Sequence, residues 1–185
     1  MLCTGHDNRG KSLDVMVEQE ADWVTAYLGL GANLGDRQGT IALALKELGA
    51  LPTIEVVAVS SLYQTAPVGI TEQPDFLNAA AAIRTVCTPW ELLAQILQLE
   101  QQMGRVRAVR WGPRTIDIDI LAFGSVQMNE PALTIPHPRL EERAFALVPL
   151  AEIAPTLRLP GECETLKKKA SYLAAAGNIS VFAVV

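Results

Sequence analysis

An α+β domain, an antiparallel sheet with helices packed on it, is the fold class that this sequence predicts. Three observations carry the prediction. Short runs rich in β-branched residues alternate with stretches of helical period. Two of the strand-like runs, 54–63 and 76–85, follow one another with only a loop between them, which favours antiparallel pairing. The helical stretches therefore do not alternate strictly with strands, as a parallel sheet would require.

Taken in order, residues 1–22 are polar and mixed and carry no sustained period. They are expected to form a poorly ordered N-terminal extension. A strand is predicted from Trp23 to Leu30, entering the glycine-containing run Gly29-Leu-Gly-Ala-Asn-Leu-Gly35. That run resembles a dinucleotide-binding loop, but the antiparallel strands that follow do not fit a Rossmann unit. Ile41, Ala44, Leu45 and Leu48 recur at helical spacing, with Gly49 as the expected stop. After the two adjacent strands, Thr88-Pro-Trp-Glu91 reads as a capping box with proline at the first helical position. Leu92, Ile96, Leu99 and Met103 continue as an apolar stripe up to Gly104. A last strand runs through Ile116 to Phe123. The order strand, helix, strand, strand, helix, strand is the ferredoxin-like βαββαβ core, with both helices on one face. Beyond it, 124–136 reads as a hairpin or loop, and 138–154 as a helical patch broken at Pro149. The basic run Lys167–Lys169 reads as a solvated face, in a tail that adds a helix and a strand. The expected division is an N-terminal extension (1–22), a catalytic domain (23–161) and a C-terminal extension (162–185).

Composition narrows the functions available. Half of the 185 residues are hydrophobic, which argues for a packed core, and the net charge of −5 argues against a nucleic-acid partner. Cys3, Cys87 and Cys163 form no CxxC pair, so neither a disulfide framework nor a zinc site is indicated. With His6 and His137 as the only histidines, a histidine-rich metal site is excluded. No apolar run is long enough for a secretory signal or a membrane span, which makes the cytoplasm the expected compartment.

Chemistry concentrates between Arg105 and Phe123. Arg105, Arg107, Arg110 and Arg114 crowd the first half of this stretch against the global charge. Asp117 and Asp119 alternate with isoleucines in the second half. On a strand the two acids share one face and the isoleucines the other. Two carboxylates side by side call for a cation between them, and a hard ion such as Mg2+ takes oxygen ligands together with substrate phosphates. Arginine forks match phosphate oxygens. The combination points to chemistry on a nucleotide polyphosphate. On these residues alone, two other readings stay open: a glycosyltransferase holding a nucleotide diphosphate through Asp-x-Asp, and a ligand-sensing domain without catalysis.

Four signatures in order resemble the 6-hydroxymethyl-7,8-dihydropterin pyrophosphokinase family. They are Tyr27-Leu-Gly-Leu-Gly-Ala-Asn-Leu-Gly-Asp36, then Ser60-Ser-Leu-Tyr-Gln-Thr-Ala-Pro67 with Gln73-Pro-Asp-Phe-Leu-Asn-Ala-Ala80, then Arg110-Trp-Gly-Pro-Arg-Thr-Ile-Asp-Ile-Asp-Ile120, and finally Leu133-Thr-Ile-Pro-His-Pro-Arg139 with Arg143-Ala-Phe145. The resemblance covers residues 26–155. It implies transfer of pyrophosphate from ATP to the pterin hydroxymethyl group, with release of AMP, in folate biosynthesis. Two Mg2+ ions on Asp117 and Asp119 are expected, with Arg105, Arg110 and Arg114 clamping phosphates and Trp111 among the catalytic residues. His137 is implied in holding a nucleotide phosphate, and Arg143 in contacting the transferred group. For the flat pterin, Phe76 and Phe145 fit the two stacking positions and Asn78 the amide edge, while Thr65, Val68 and Gly69 lend main-chain contacts. Ala132 departs from the pattern, standing where some members carry another arginine. ATP and the pterin are the expected partners, with no nucleic acid and no membrane, and the chain is expected to be a monomer.

Overall fold

The computed structural model describes residues 22–67, 69, 71–105, 112–176 and 179–183. Almost all of the N-terminal extension, and the site candidates Val68, Arg110 and Trp111, lie outside the described residues. The elements run β1 (Val24–Ala32), α1 (Arg37–Gly49), β2 (Ile54–Val59), β3 (Leu62–Thr65), β4 (Phe76–Thr85), α2 (Pro89–Gln102), β5 (Asp117–Phe123), β6 (Met128–Glu130), β7 (Leu133–Ile135), α3 (Ala144–Ile153), α4 (Leu166–Ala176) and β8 (Ile179–Ala183). A 3-10 turn at Leu140–Glu142 precedes α3. The main sheet has the order β5-β1-β4-β3-β8, with β2 also paired to β4. Its pairs are antiparallel. The α+β class and the ferredoxin-like core therefore hold, and no parallel doubly wound sheet is present among the described residues.

The predicted strand 54–63 is two strands. Between Val59, opposite Ala81, and Tyr63, opposite Asn78, the outer chain takes four steps where β4 takes three. Ser60 and Ser61 absorb the extra residue, as a β-bulge does. Ser60 is fully buried and pairs its N–H with the Ala80 carbonyl at 2.9 Å. Its hydroxyl accepts from the Ala80 N–H at 2.9 Å and donates to the Ser61 carbonyl at 2.8 Å. The break in regular pairing thus leaves neither the N–H nor the hydroxyl of Ser60 stranded in the core.

Both faces of the sheet are covered. Leu28, Leu30, Ala79, Ala81, Ile118 and Ile120 face α1 and α2, where Ile41, Ala44, Leu48, Leu92, Ile96 and Leu99 complete one core. Side chains alternate along strands, so Ala80 and Leu121 face the other way. They pack with Leu147 and Leu150 of α3 and with Leu166 and Ala170 of α4 in a second core. The alanine-rich centre of β4 lets both helical layers approach closely.

Local signals act mostly as expected. Asp36 caps α1, accepting from the Gly39 N–H at 3.0 Å. The capping box of Thr88 and Glu91 is formed, with Pro89 opening α2. Gly104, at φ 80°, takes the left-handed turn after that helix. The helix α1 ends at Gly49 as expected, with Ala50 capping it in a right-handed conformation. Two expectations are corrected. Pro149 does not break its helix, since α3 runs through it with Pro149 buried in the second core. Packing on both sides outweighs one missing N–H. Lys169 is no solvated lysine either, because Glu141 and Glu162 pair with it and tie α4 to the turn before α3. The residues from 162 onward fold as α4 and β8, the latter pairing with β3. No helix among the described residues is long and apolar enough to cross a membrane.

Glu152, near the end of α3, joins the second helical layer to the sheet. Its carboxylate accepts from the Ser61 N–H at 3.0 Å, the Ser61 hydroxyl at 2.9 Å and the Tyr63 hydroxyl at 2.8 Å. Glu152 is itself exposed, so water can take over part of what its carboxylate accepts, and the roughly 1.5–3 kcal/mol of a hydrogen bond to a charged group is an upper bound for each. Glu152→Ala is expected to lower unfolding free energy by about 1 kcal/mol in urea titration. A loss under about 0.5 kcal/mol would show that water replaces the anchor at no cost.

Candidate active site

β5 supplies the acids. Ile118 and Ile120 point into the first core, so Asp117 and Asp119 share the opposite face. Their partners across the ladder are Gly31 and Gly29 of β1. A Cβ at Gly31 would stand 3.1 Å from Asn78 Oδ1, and one at Gly29 would stand 3.2 Å from the Leu121 side chain. These glycines form the floor of a cleft, not a dinucleotide loop, and a larger residue would intrude on its wall.

Around that floor the structure gathers Thr65, Ala66, Phe76, Asn78, Arg114, Asp117, Asp119, His137, Arg143 and Phe145. Residues from β3, β4, β5, the loop after β7 and the start of α3 thus meet in one cleft. Of the loop after β3, the described lining takes in Thr65 and Ala66 and not Gly69, whose φ is 92°.

Charge is densest at Asp117. Arg105 Nη2 lies 2.5 Å from its Oδ1, and Arg114 Nη1 lies 2.5 Å from its Oδ2. Arg105 also pairs with Glu100, a carboxylate of α2 whose side chain is only 2% exposed. Glu100 accepts the Ile118 N–H at 2.7 Å, between the two aspartates. Burial raises the Glu100 carboxyl, while the Ile118 N–H and Arg105 oppose the rise. Asp119 is held less closely, with Arg143 at 4.0 Å. Burial, then the charge of Asp117, raise its carboxyl to about 6.

His137 is fastened by its main chain, donating to the Leu121 carbonyl at 2.9 Å. Its Nδ1 accepts from the Arg139 N–H at 3.2 Å, and its Nε2 faces Arg143 Nη1 at 3.3 Å. With Nδ1 accepting, the single proton of the neutral ring sits on Nε2, and a second proton, on Nδ1, would displace the Arg139 N–H. Burial, then Arg143, lower its pKa to about 4.

The cleft also has aromatic and amide members. Phe76 and Phe145 line it, and the Arg143 guanidinium stands 5.5 Å from the Phe145 ring centre. Asn78, almost fully buried, donates from Nδ2 to Thr65 Oγ1 at 2.8 Å. That bond orients the amide. Asn33, also buried, links Arg114 to the segment before β4. Its Oδ1 accepts from the Arg114 N–H at 2.8 Å, and its Nδ2 donates to Gln73 Oε1 at 2.9 Å and the Pro74 carbonyl at 3.2 Å.

Gly29, Gly31, Asn33, Glu100 and Leu121 were not among the residues that sequence reasoning picked out for the site. Glu100 had a signal: it falls four residues after Ile96, on the buried stripe of α2, where an acid needs a partner. The glycines had one too, since glycine within a strand marks close approach of a ligand or of another backbone.

The fold and this cleft define a class: an α+β domain whose cleft brings acids and guanidiniums together with aromatic side chains. Residues 27–155 match the family model described as 7,8-dihydro-6-hydroxymethylpterin-pyrophosphokinase (HPPK). The chain belongs to this family. A relative from Methylorubrum extorquens, named 2-amino-4-hydroxy-6-hydroxymethyldihydropteridine pyrophosphokinase, is 54% identical over 137 residues, covering 74% of this chain and 87% of the relative. The Bacillus subtilis protein of that name is 44% identical over 146 residues, covering 79% and 82%. Among solved structures, Plasmodium falciparum HPPK-DHPS with pteroate superposes with a TM-score of 0.67 at 17% identity. The match covers 86% of this chain and 44% of that longer one, and it speaks for the fold alone.

The pKa of His137 can be checked directly. Its ring carbon shifts in NMR are expected to report a neutral imidazole down to about pH 4 instead of the ordinary 6.5, with His137→Gln assigning the signal. A folded pKa below the unfolded one means that this group's contribution to stability is complete above 6.5 and is lost as the pH falls toward 4. Titration at 6.5 would show that burial and Arg143 do not act on the ring as its surroundings imply.

Proposed function

We propose that this chain moves the β,γ-pyrophosphoryl group of ATP onto the hydroxymethyl oxygen of 6-hydroxymethyl-7,8-dihydropterin, giving AMP and the pterin diphosphate in folate biosynthesis, with the cleft described above as its active site. The observation that carries this assignment is the union of two chemistries in one cleft. Asp117, Asp119, Arg114, His137 and Arg143 line it together with Thr65, Phe76, Asn78 and Phe145. Because AMP leaves, the hydroxymethyl oxygen attacks the β-phosphorus. The bond from that phosphorus to the oxygen bridging it to the α-phosphorus breaks, and the hydroxyl proton is lost.

Magnesium fits the donors present. Asp117 and Asp119 offer only oxygen, share one face, and repel each other enough to help raise the Asp119 carboxyl. Among the described residues no three His, Cys, Asp or Glu side chains converge as a metal site. Phosphate oxygens and water would therefore complete the coordination of two Mg2+ ions held by the two aspartates, which supply charge neutralisation to the group being transferred. The protein's own groups do the rest. Arg105 and Arg114, with Arg110 beyond the described residues, clamp phosphate oxygens. Arg143 meets the transferred group, and neutral His137 presents its ring to a nucleotide phosphate. Phe76 and Phe145 stack on the pterin, and Thr65 holds the Asn78 amide ready for the ring's amide edge. Trp111, Val68 and Gly69 keep the roles that the family pattern gives them. The chain works as a cytoplasmic monomer without a nucleic-acid partner, in keeping with its acidic charge. The domain proper spans 23–161, flanked by extensions at 1–22 and 162–185.

Conversion of ATP to AMP, dependent on both magnesium and the pterin, is the expected assay result. Release of ADP, or AMP formation indifferent to the pterin, would refute the assignment. Asp117→Ala and Asp119→Ala should each lower kcat at least about a hundredfold, since electrostatic stabilisation carries most of such a transfer. Their melting temperatures should show that the fold remains.

The two groups of lining residues should separate in calorimetry. Phe145→Ala and Asn78→Ala are expected to weaken pterin binding while leaving ATP binding nearly unchanged. Lost stacking at Phe145 should cost on the order of 1 kcal/mol beyond the area effect. Equal losses for both ligands would mean that the substitutions damage the second core instead.

A further inference from the structure

This inference rests on the reading of Asp117 and Asp119 as the metal-holding pair, and it concerns the difference between them. Both oxygens of Asp117 are engaged, Oδ1 by Arg105 and Oδ2 by Arg114, each at 2.5 Å. Asp119 meets Arg143 at 4.0 Å, beyond hydrogen-bond reach. A guanidinium and a divalent cation compete for the same oxygen lone pairs, and two positive charges already in contact repel a third.

We propose that Arg105 and Arg114 are internal counter-ions that withhold Asp117 from a lone divalent cation until a polyphosphate draws the guanidiniums away, so that metal and polyphosphate load the cleft together. A polyphosphate offers several charges and many oxygens in place of one carboxylate, and the arginine fork matches phosphate geometry. Both arginines can change partners without leaving the site. Arg105 keeps Glu100, which is itself held by the Ile118 N–H, and its own N–H donates to the Glu100 carbonyl at 2.9 Å. Arg114 is anchored through its main chain to Asn33, while its Nε contact to the Gly112 carbonyl is a long 3.4 Å. Glu100 is therefore a positioning residue, a fixed anion about which Arg105 turns. Coupling is reciprocal: whatever the metal gains from the polyphosphate, the polyphosphate gains from the metal.

The test is titration of Mn2+, read by electron paramagnetic resonance, into nucleotide-free protein, with inorganic tripolyphosphate as the added polyphosphate. Arg105→Gln and Arg114→Gln should bind Mn2+ alone at least about tenfold more tightly than the unaltered protein, because each frees an oxygen of Asp117. Arg84→Gln changes the net charge equally but removes the partner of Glu55 on the sheet surface. It should change Mn2+ affinity by less than about twofold, as screened distant charges do. An equal gain in Arg84→Gln, or no gain in Arg114→Gln, overturns the proposal. If Arg105→Gln unfolds for want of a partner for Glu100, Arg114→Gln alone decides. Adding Asp117→Asn to Arg114→Gln should abolish the gain, and a gain that persists also removes Asp117 from the metal site. A different pattern sinks the counter-ion exchange and leaves the site assignment standing: no gain in Arg114→Gln, but loss in Asp117→Asn of the Mn2+ bound together with tripolyphosphate.

Discussion

Strand alternation at β5 is the constraint on which the site depends. Ile118 and Ile120 must face the first core, so Asp117 and Asp119 are committed to the other face. That face is elsewhere the floor for α3 and α4, which cover Ala80, Leu121 and Ala122. The acids escape burial under apolar side chains because they lie toward the start of β5, opposite glycines of β1, where α3 presents its first residues, Arg143 and Phe145. A one-residue slip of β5 would bury two carboxylates against α1 and α2 and turn isoleucines into the cleft. Register here decides function as well as stability.

Polar groups that bridge elements enforce that register. Glu100 reaches from α2 to the Ile118 N–H, so the helix on one face reads the position of the strand that carries the acids on the other. Asn33 exchanges main-chain and side-chain bonds with Arg114 and spans to Gln73 and Pro74. Glu152 fastens α3 to Ser61 and Tyr63 of the strand region that ends in Thr65. Each anchor ties an element that carries part of the cleft lining to a neighbouring segment. Glu100 and Asn33 are buried, and such groups are costly when unpaired. Displacement of any wall is therefore opposed by more than the loss of apolar contact.

The order of elements was legible because helical and strand periods differ sharply along this chain, and the capping box before α2 was legible to the residue. The alternation of Asp117, Ile118, Asp119 and Ile120 put the acids on their face before any coordinates. What escaped was non-local. The bulge at Ser60 and Ser61 depends on how β4 counts its residues against its neighbours, and nothing in the run 54–63 records that count. Pro149 looked like a break because the helical period alone cannot show a helix packed on two sides. Lys169 looked solvated because its partners, Glu141 and Glu162, come from other segments. In the cleft, the charged and aromatic members stood out by type, whereas Gly29 and Gly31 matter by what they lack.

Electrostatics explains why such a cleft can be both stable and ready. Glu100, Arg105, Asp117 and Arg114 form a connected series in which each arginine meets a carboxylate and the central carboxylate meets two arginines. Two anions against two cations leave this series close to neutral, so its partial burial need not carry a large desolvation penalty. Asp119, Arg143 and His137 lie beside it with looser contacts, and His137 is held neutral first by burial and then by the charge of Arg143. A polyphosphate with its cations is nearly neutral as well. On the counter-ion proposal, exchanging it into the series would replace one balanced set of pairs by another beside the apolar wall of Phe145 and Leu121. The sequence prepares this by separating its arginines from its aspartates by only a few residues, so that partners for both states lie on one short stretch of chain.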